Sequence, residues 1–401
     1  MSFDLFLGLS KKIMDFSYSS TQQSIVTSIE NIMANFDDNY WLAADREGQF
    51  PDEFYKAIAA DGWLGIAMPE AFGGADLGVA EAALMMQKIS ESGGGMAAAS
   101  AVHINLFGPQ PIVVHGNDEQ RSAWLPPLIR GDVKCCFGVT EPDAGLDTGS
   151  IRTRADKTKK GYLVTGQKIW TSTAQVSDKI LLLARTSQPS SSARRTDGLT
   201  LFYTDLDQRF VEIREIEKMG RAAVDSNQLY IDGLMVPQED RIGEEGKGFS
   251  YLLDSLNPER ILIAAEALGI GKTALQRAVD YAGERIVFDR PIGKNQGIQH
   301  PLAECWIELE AASLLIAKAA FLYDIGAPAG GLANAAKYFA AEAGFKAATQ
   351  AVMTFGGMGY AKEYHVERLL RESLIPRIAP VSAQMVLSYI AERVLGLPKS
   401  Y

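Results

Sequence analysis

Two short stretches of the chain set polar groups and an indole at strand ends, where a ligand could be held. The first is Cys136-Phe137-Gly138-Val139-Thr140-Glu141-Pro142-Asp143-Ala144-Gly145-Leu146-Asp147. An apolar run with a β-branched residue gives way to Pro142, Asp143 and Gly145, so it reads as a strand breaking into a turn. Such a turn exposes successive backbone N–H groups, which suits anionic or polar heterocyclic ligands. The second is Gly166-Gln167-Lys168-Ile169-Trp170-Thr171-Ser172, another strand end, with an indole beside hydroxyls. Both also have a plainer reading, as two edge strands of a sandwich with an ordinary core Trp. Pattern alone favours that plainer reading.

Other chemistries have less material. Gly271-Lys272-Thr273 imitates the end of a phosphate-binding loop. That loop needs a Gly where Glu266 stands and a strand before it, whereas the neighbours read as mid-helix. Triphosphate hydrolysis is therefore rejected. Phe72-Gly73-Gly74 and Gly93-Gly94-Gly95 also lack a preceding strand and read as helix–helix turns. Cys135, Cys136 and Cys305 form neither a disulfide framework nor a metal spacing, and on a strand the adjacent pair points to opposite faces. His103, His115, His300 and His365 are widely separated, so no metal site is expected. The acidic group Glu239, Asp240, Glu244 and Glu245 follows Pro237 and reads as a solvated loop.

The chain has 401 residues, 47% hydrophobic and 22% charged, which suggests two to three domains. A net charge of −10 disfavours nucleic acid or an anionic membrane as partner, and leaves a small anionic ligand open. No apolar run approaches the roughly 20 residues that cross a bilayer, so no integral membrane segment is expected. The unpaired thiols suit a reducing, cytoplasmic setting.

The elements that must position these stretches fall into three groups. Residues 21–130 read as helices joined by Gly/Pro turns, with Ile25, Ile29, Ile32 and Met33, then Phe54, Ile58, Trp63 and Leu64, at helical spacing. Residues 133–248 carry short β-rich runs at 161–164, 180–183, 199–202 and 228–231, bounded by turn residues. The Ser/Pro/Arg segment 187–197 within them reads as a solvated loop. The rest is helical again. Ile261, Ala265, Leu268, Leu275, Val279 and Ala282 share one face, and further helices are expected at about 296–323, 332–353 and 382–394. Short connections argue for an antiparallel bundle.

Val139-Thr140-Glu141-Pro142 with Gly145, followed by Lys168-Ile169-Trp170, resembles the flavin-cradling signature of the acyl-CoA dehydrogenase family. The likeness runs from about Met14 to the C-terminus, which would make residues 1–13 an upstream extension. It implies an α+β multidomain fold: an N-terminal helical domain (1–132), a middle β-barrel or sandwich domain (133–249) and a C-terminal four-helix bundle (250–401). It implies FAD, held by Phe137, Val139, Thr140, Gly145, Leu146, Trp170 and Ser172 from the β domain. Arg285, Phe288 and Gln296 would reach across a dimer interface to the neighbour's FAD, the Arg offering a bidentate cation for pyrophosphate and the Phe a stacking face. From the residue alone, Arg285 reads as a helix C-terminal cation. Met353, Gly356 and Gly357 would lie near the ADP moiety, with Ser382 and Gln384 on the last helix. Leu146, Phe249, Asn257 and Arg260 would contact the acyl-CoA substrate. Two departures stand out: Leu146 replaces a common Ser, and Met353 a common Gln.

Desaturating an acyl thioester needs a carboxylate to take the α-proton while the flavin takes the β-hydride. Many relatives carry that Glu in the loop before the last helix, where this chain has Ile378-Ala379-Pro380-Val381-Ser382. The isovaleryl- and long-chain branch places it on the first bundle helix, and Asn257-Pro258-Glu259-Arg260 matches that branch. Glu259 is therefore expected to be the base. It has an alternative: Asn257 as N-cap and Pro258 in the first turn would make Glu259 a helix N-terminal acid. The resemblance further implies an electron-transfer flavoprotein or similar acceptor and a homotetramer. Alternatives on the same frame are an acyl-CoA oxidase, an enoyl-thioester reductase, a nitroalkane-type oxidase or a non-catalytic homologue.

Overall fold

The computed structural model describes residues 17–189 and 194–400. The readings of residues 1–13 and of Met14-Asp15-Phe16 lie outside these, as does part of the 187–197 loop. The first helix, α1 (Ser20–Met33), is started by a capping box in which Ser19 and Gln22 satisfy each other's backbone N–H groups. It buries Ile25, Ile29, Ile32 and Met33, the periodic residues of the sequence. Then come α2 (Asp38–Glu47), α3 (Asp52–Ala60), α4 (Val79–Ile89), α5 (Gly95–Phe107), α6 (Gln110–His115) and α7 (Asp118–Ile129). Between α4 and α5 the chain turns at Gly93 and Gly95, with φ of +98° and +60° that favour glycine. The helix α5 is buried on every side, which places it at the centre of the molecule.

The β unit is one eight-stranded sheet built from β1 (Cys135–Gly138), β2 (Arg154–Thr158), β3 (Gly161–Ser172), β4 (Lys179–Arg185), β5 (Leu199–Asp205), β6 (Val211–Glu215), β7 (Ser226–Pro237) and β8 (Arg241–Ile242). The order is β6-β7-β3-β2-β4-β5-β8, with β1 pairing parallel to β4. Two sequence expectations change here. The runs at 161–164 and 166–172 form the single strand β3, and that strand lies between β7 and β2 rather than at an edge. The core Trp of the plainer reading is not core either, since Trp170 is 57% exposed.

The bundle comprises α8 (Gly248–Glu284), α9 (Gln296–Asp324), α10 (Gly330–Phe355) and a broken last segment. A hairpin of β9 (Ile286–Val287) and β10 (Arg290–Pro291) joins the first two helices. The last segment is α11 (Val366–Glu372), α12 (Ile375–Ile378) and α13 (Ala383–Tyr389), continued to Val394. Pro258 lies inside α8, not in its first turn. The apolar and buried residues upstream, Leu252 and Ser255 among them, carry the helix back to Gly248 despite the N–H that Pro258 lacks. Glu259 is therefore mid-helix, and the N-terminal reading of it falls.

One hydrophobic cluster runs through the N-terminal helices, the bundle and one sheet face; a second fills the other face of the sheet. The three cysteines are buried and unpaired. Among the described residues no acidic, His or Cys group could hold a metal. One described helical stretch, Val366–Val394, has the length and mean hydropathy (1.3) of a membrane span, but with Glu367, Arg368, Arg371, Glu372 and Arg377 in it, it is no unbroken apolar run. It is interrupted on both sides of α12 and carries the Arg368–Glu372 ion pair.

Candidate active site

The turn after β1 and the end of β3 meet through a buried ion pair. Lys168 Nζ donates to Glu141 Oε1 at 2.9 Å and to the Val139 carbonyl at 3.1 Å, while Glu141 also accepts from the backbone N–H of Arg152 and Thr153. Burial pushes Lys168 down to about 8. Burial would raise Glu141, but Lys168 and the Arg152 N–H outweigh it and hold the carboxyl below its usual range. Beside this pair β3 bulges: Lys168 pairs with Leu229 and Thr171 with Asn227, so Ile169 and Trp170 together stand opposite Gln228 alone. The freed Ile169 N–H donates to the Thr140 carbonyl at 2.9 Å. Bulges re-aim side chains, and here Trp170, at φ +61°, is turned to the surface. Val139 and Thr140 are thus brought against Lys168 and Ile169 beside the exposed Trp170, while Leu146 is exposed in the turn and Phe137 is half-buried on β1.

A second cluster surrounds Glu259. This carboxylate is 7% exposed. Burial pushes it up to about 7, against the cations of His103, Arg260 and Lys337, which favour its charged form. Arg260 donates to Asn257 Oδ1 at 3.2 Å, and its Nε–H is buried without a partner. Lys337, 1% exposed on α10, donates to the Val381 carbonyl, so the loop that carries Pro380 instead of a Glu packs on the same group of residues. Burial, then Arg260, push Lys337 down to about 8. Gly330 leaves room here for the Tyr389 hydroxyl and for Asn257, which draws α8, α10 and α13 together. Ser382 caps α13 by accepting from the Met385 N–H, Gln384 is exposed one residue into that helix, and Phe249 is half-buried at the start of α8.

Sequence reading missed four residues of these clusters. His103 Nδ1 lies 2.5 Å from Glu266 Oε1, across a separation of 163 residues that no local pattern reveals. Burial lowers His103, but Glu266 outweighs it and raises the imidazole overall. Arg221 donates to Ser172, Ser226 and Ser100. Lys337 had no motif to mark it.

The remaining predicted residues sit elsewhere. Arg285 caps α8 at its far end, roughly 40 Å along the helix from Glu259 at 1.5 Å per residue. Phe288, at φ +53°, is 93% exposed at the hairpin tip, and Gln296 is exposed at the start of α9. Tyr281 stacks on Phe355 with ring centroids 4.0 Å apart, which holds the Gly356-Gly357 turn and the exposed Met353 at this same far end.

Three family models describing the acyl-CoA dehydrogenase match the chain: the N-terminal domain over residues 19–132, the middle domain over 136–234 and the C-terminal domain over 246–395. The acyl-CoA dehydrogenase FadE12 of Mycobacterium tuberculosis is 36% identical over 96% of this chain and 99% of its own. The chain belongs to the acyl-CoA dehydrogenase family. The 3-(aryl)acrylate reductase of Clostridium sporogenes is also 36% identical, over 88% of this chain and 92% of its own. The butyryl-CoA dehydrogenase of Megasphaera elsdenii superimposes with a TM-score of 0.90 at 29% identity, over 95% of this chain and all of that one. This family member is an FAD-dependent oxidoreductase acting on CH–CH groups, with partners of the acyl-CoA and flavin type.

The residues present fit FAD. A Cβ added at Gly145 or Gly357 would meet nothing in the chain, so internal packing does not require glycine there and the bare backbone is open to close approach by a ligand. Trp170, 57% exposed, offers an aromatic face to a flavin, and Arg285, exposed at the far end of α8, offers a cation to a pyrophosphate at a separate place.

Proposed function

We propose that this protein dehydrogenates an acyl-CoA thioester to the trans-2-enoyl-CoA, with Glu259 as the base that takes the α-proton. The observation that carries the reading is the buried carboxylate of Glu259, mid-helix, among His103, Arg260 and Lys337, beside a loop that has Pro380 where a base could otherwise stand. Bound FAD supplies the acceptor for the β-hydride. Glu259 must be ionised to act, and the three cations keep that form accessible near neutral pH despite burial. Phe137, Val139, Thr140, Gly145, Leu146, Trp170 and Ser172 hold one FAD, while Arg285, Phe288, Gln296, Met353, Gly356 and Gly357 serve the FAD of a second copy. The distance along α8 supports this division, since the far-end residues cannot share a small site with Glu259. Leu146, Phe249, Asn257 and Arg260 line the thioester's path, with Ser382 and Gln384 on the cofactor side.

A homotetramer, an electron-transfer flavoprotein as acceptor and a reducing cytoplasmic setting complete the proposal. Ile307, Leu314 and Phe321 support the assembly: they recur at heptad spacing on the outer face of α9 and are each more than half exposed. A panel of acyl-CoA thioesters, straight, branched and aryl-bearing, added anaerobically to the yellow enzyme tests the reading. At least one should bleach the flavin, and failure of all would defeat it. The 36% identity to a 3-(aryl)acrylate reductase favours a second reading, in which the same site runs as a reductase of an aryl enoyl thioester. Reoxidation of chemically reduced enzyme by such a thioester, without net bleaching by the saturated one, would select it.

A further inference from the structure

Arg221 is absorbed by neither the base nor the thioester site. It precedes β7 with φ +57°, a conformation that a non-glycine residue keeps only when its surroundings hold it there. Its side chain is half-buried. Nη2 donates to Ser172 Oγ at 3.0 Å and to Ser226 Oγ at 2.7 Å, and Nη1 donates to Ser100 Oγ at 3.2 Å. Its Nε–H is buried without a partner. The charged groups around it are Glu266 on α8, Glu372 on α11, Asp225 before β7 and Lys218. Each carboxylate is engaged elsewhere: Glu266 by His103, Glu372 by Arg368 and the Ala97 N–H, Asp225 by Asn227 and the Gln175 N–H. The guanidinium thus meets only neutral hydroxyls directly.

Two consequences follow from that arrangement. A guanidinium can only donate, so Ser172 Oγ accepts from Arg221 and its own hydrogen is left to donate to another partner at the end of β3, where Trp170 two residues before it is exposed. A cation with no paired carboxylate also projects its field onto whatever binds there, and in a partly dry site that field is weakly screened. We propose that Arg221 is a positioning residue for FAD, fixing Ser172 as a hydrogen-bond donor to the bound cofactor and favouring the electron-rich reduced form. The proposal rests on the placement of Ser172 beside FAD put forward above.

The test is the two-electron midpoint potential of the FAD-loaded full chain, measured by equilibration with redox dyes, in Arg221→Gln, Arg221→Lys and Ser172→Ala. Arg221→Gln should lower the reduced-to-oxidised ratio at a given potential by about tenfold, equivalent to ~30 mV for a two-electron couple. Arg221→Lys keeps the charge but loses the fork, and should give a smaller fall; if Arg221→Gln does not fold, this variant decides. A fall in potential with FAD still bound supports the proposal, because a merely structural role would not move it. An unchanged potential in the Arg221 variants, while Ser172→Ala shifts potential or flavin spectrum, overturns the proposal and leaves the cofactor site standing. No change in Ser172→Ala in either property would remove Ser172 from the cofactor and overturn both.

Discussion

Glu259 sits in a helix interior with its carboxylate taken out of water, so its two protonation states differ in what they cost the fold. Its ordinary value of 4.5 rises to about 7, a shift equivalent to about 3 kcal/mol at roughly 1.4 kcal/mol per unit. The sign follows from linkage: a raised carboxyl contributes stability that is full below 4.5 and is lost as pH rises through about 7. Glu259→Gln, always neutral, should therefore melt higher than the parent at pH 8 and at nearly the same temperature at pH 4.5, with FAD bound and no substrate. An equal difference at both pH values would mean that the carboxylate is not desolvated. The buried Lys168–Glu141 pair gives a second prediction at this scale. Lys168→Met should strand a buried carboxylate, at a cost of about 3–5 kcal/mol, and loosen FAD, because Lys168 also fixes the Val139 carbonyl. Unchanged FAD affinity, read by flavin fluorescence, would show that the turn holds without it. Glu259 and Trp170 stand out through the family resemblance, because each lies in a short recognisable string, whereas residue types alone favour a core Trp and a helix-terminus acid. His103 with Glu266, and Arg221 with its three serines, stayed hidden because each is a contact between segments far apart in the chain.

At the scale of elements, two features do the positioning. The bulge in β3 turns Trp170 outward, and the length of α8 separates Glu259 from Arg285. Helix and strand types were legible from periodicity, but the joining of two short runs into β3 was not, since Gly166 between them reads as a break. In the structure Gly166 is instead closely approached by Thr153, and the strand passes through it. The start of α8 was missed for a related reason: Pro258 suits a first turn, and only packing of the upstream turns shows that it lies inside. Arg285→Ala tests the far end of this helix. A charge-assisted bond to phosphate is worth about 1.5–3 kcal/mol, so the variant should release FAD on dilution while its melting temperature as apoprotein stays the same. Retained flavin with early melting would make Arg285 a helix-terminus cation and nothing more.

For the whole molecule, the N-terminal helices and the bundle share one core, to which both α5 and α8 contribute, and one face of the sheet packs on it. The three-part order was legible because it needs only the succession of periodicities, whereas the shared core depends on long-range packing. The outward apolar residues of α9 predict that a single charge should disturb assembly. Leu314→Asp, 55% exposed in one protomer, should leave secondary structure intact and shift the sedimentation coefficient towards a smaller species. Sedimentation identical to the parent's would remove α9 from any interface. A partner-dependent loss of FAD in the smaller species would join this result to the one at Arg285.

The central claim is that Glu259 takes the α-proton, and rapid-mixing measurement of flavin reduction tests it most directly. With the best thioester of the panel, anaerobically, the rate in the parent should rise with pH through about 7, as the carboxylate ionises. In Glu259→Gln it should fall by about 10²–10⁴-fold, the usual contribution of a positioned base, with FAD and thioester still bound. Adding Pro380→Glu and Val381→Gly should restore part of the rate, because that loop packs against the same Lys337. Flavin reduction in Glu259→Gln at nearly the parent's rate would contradict the account and place the base elsewhere.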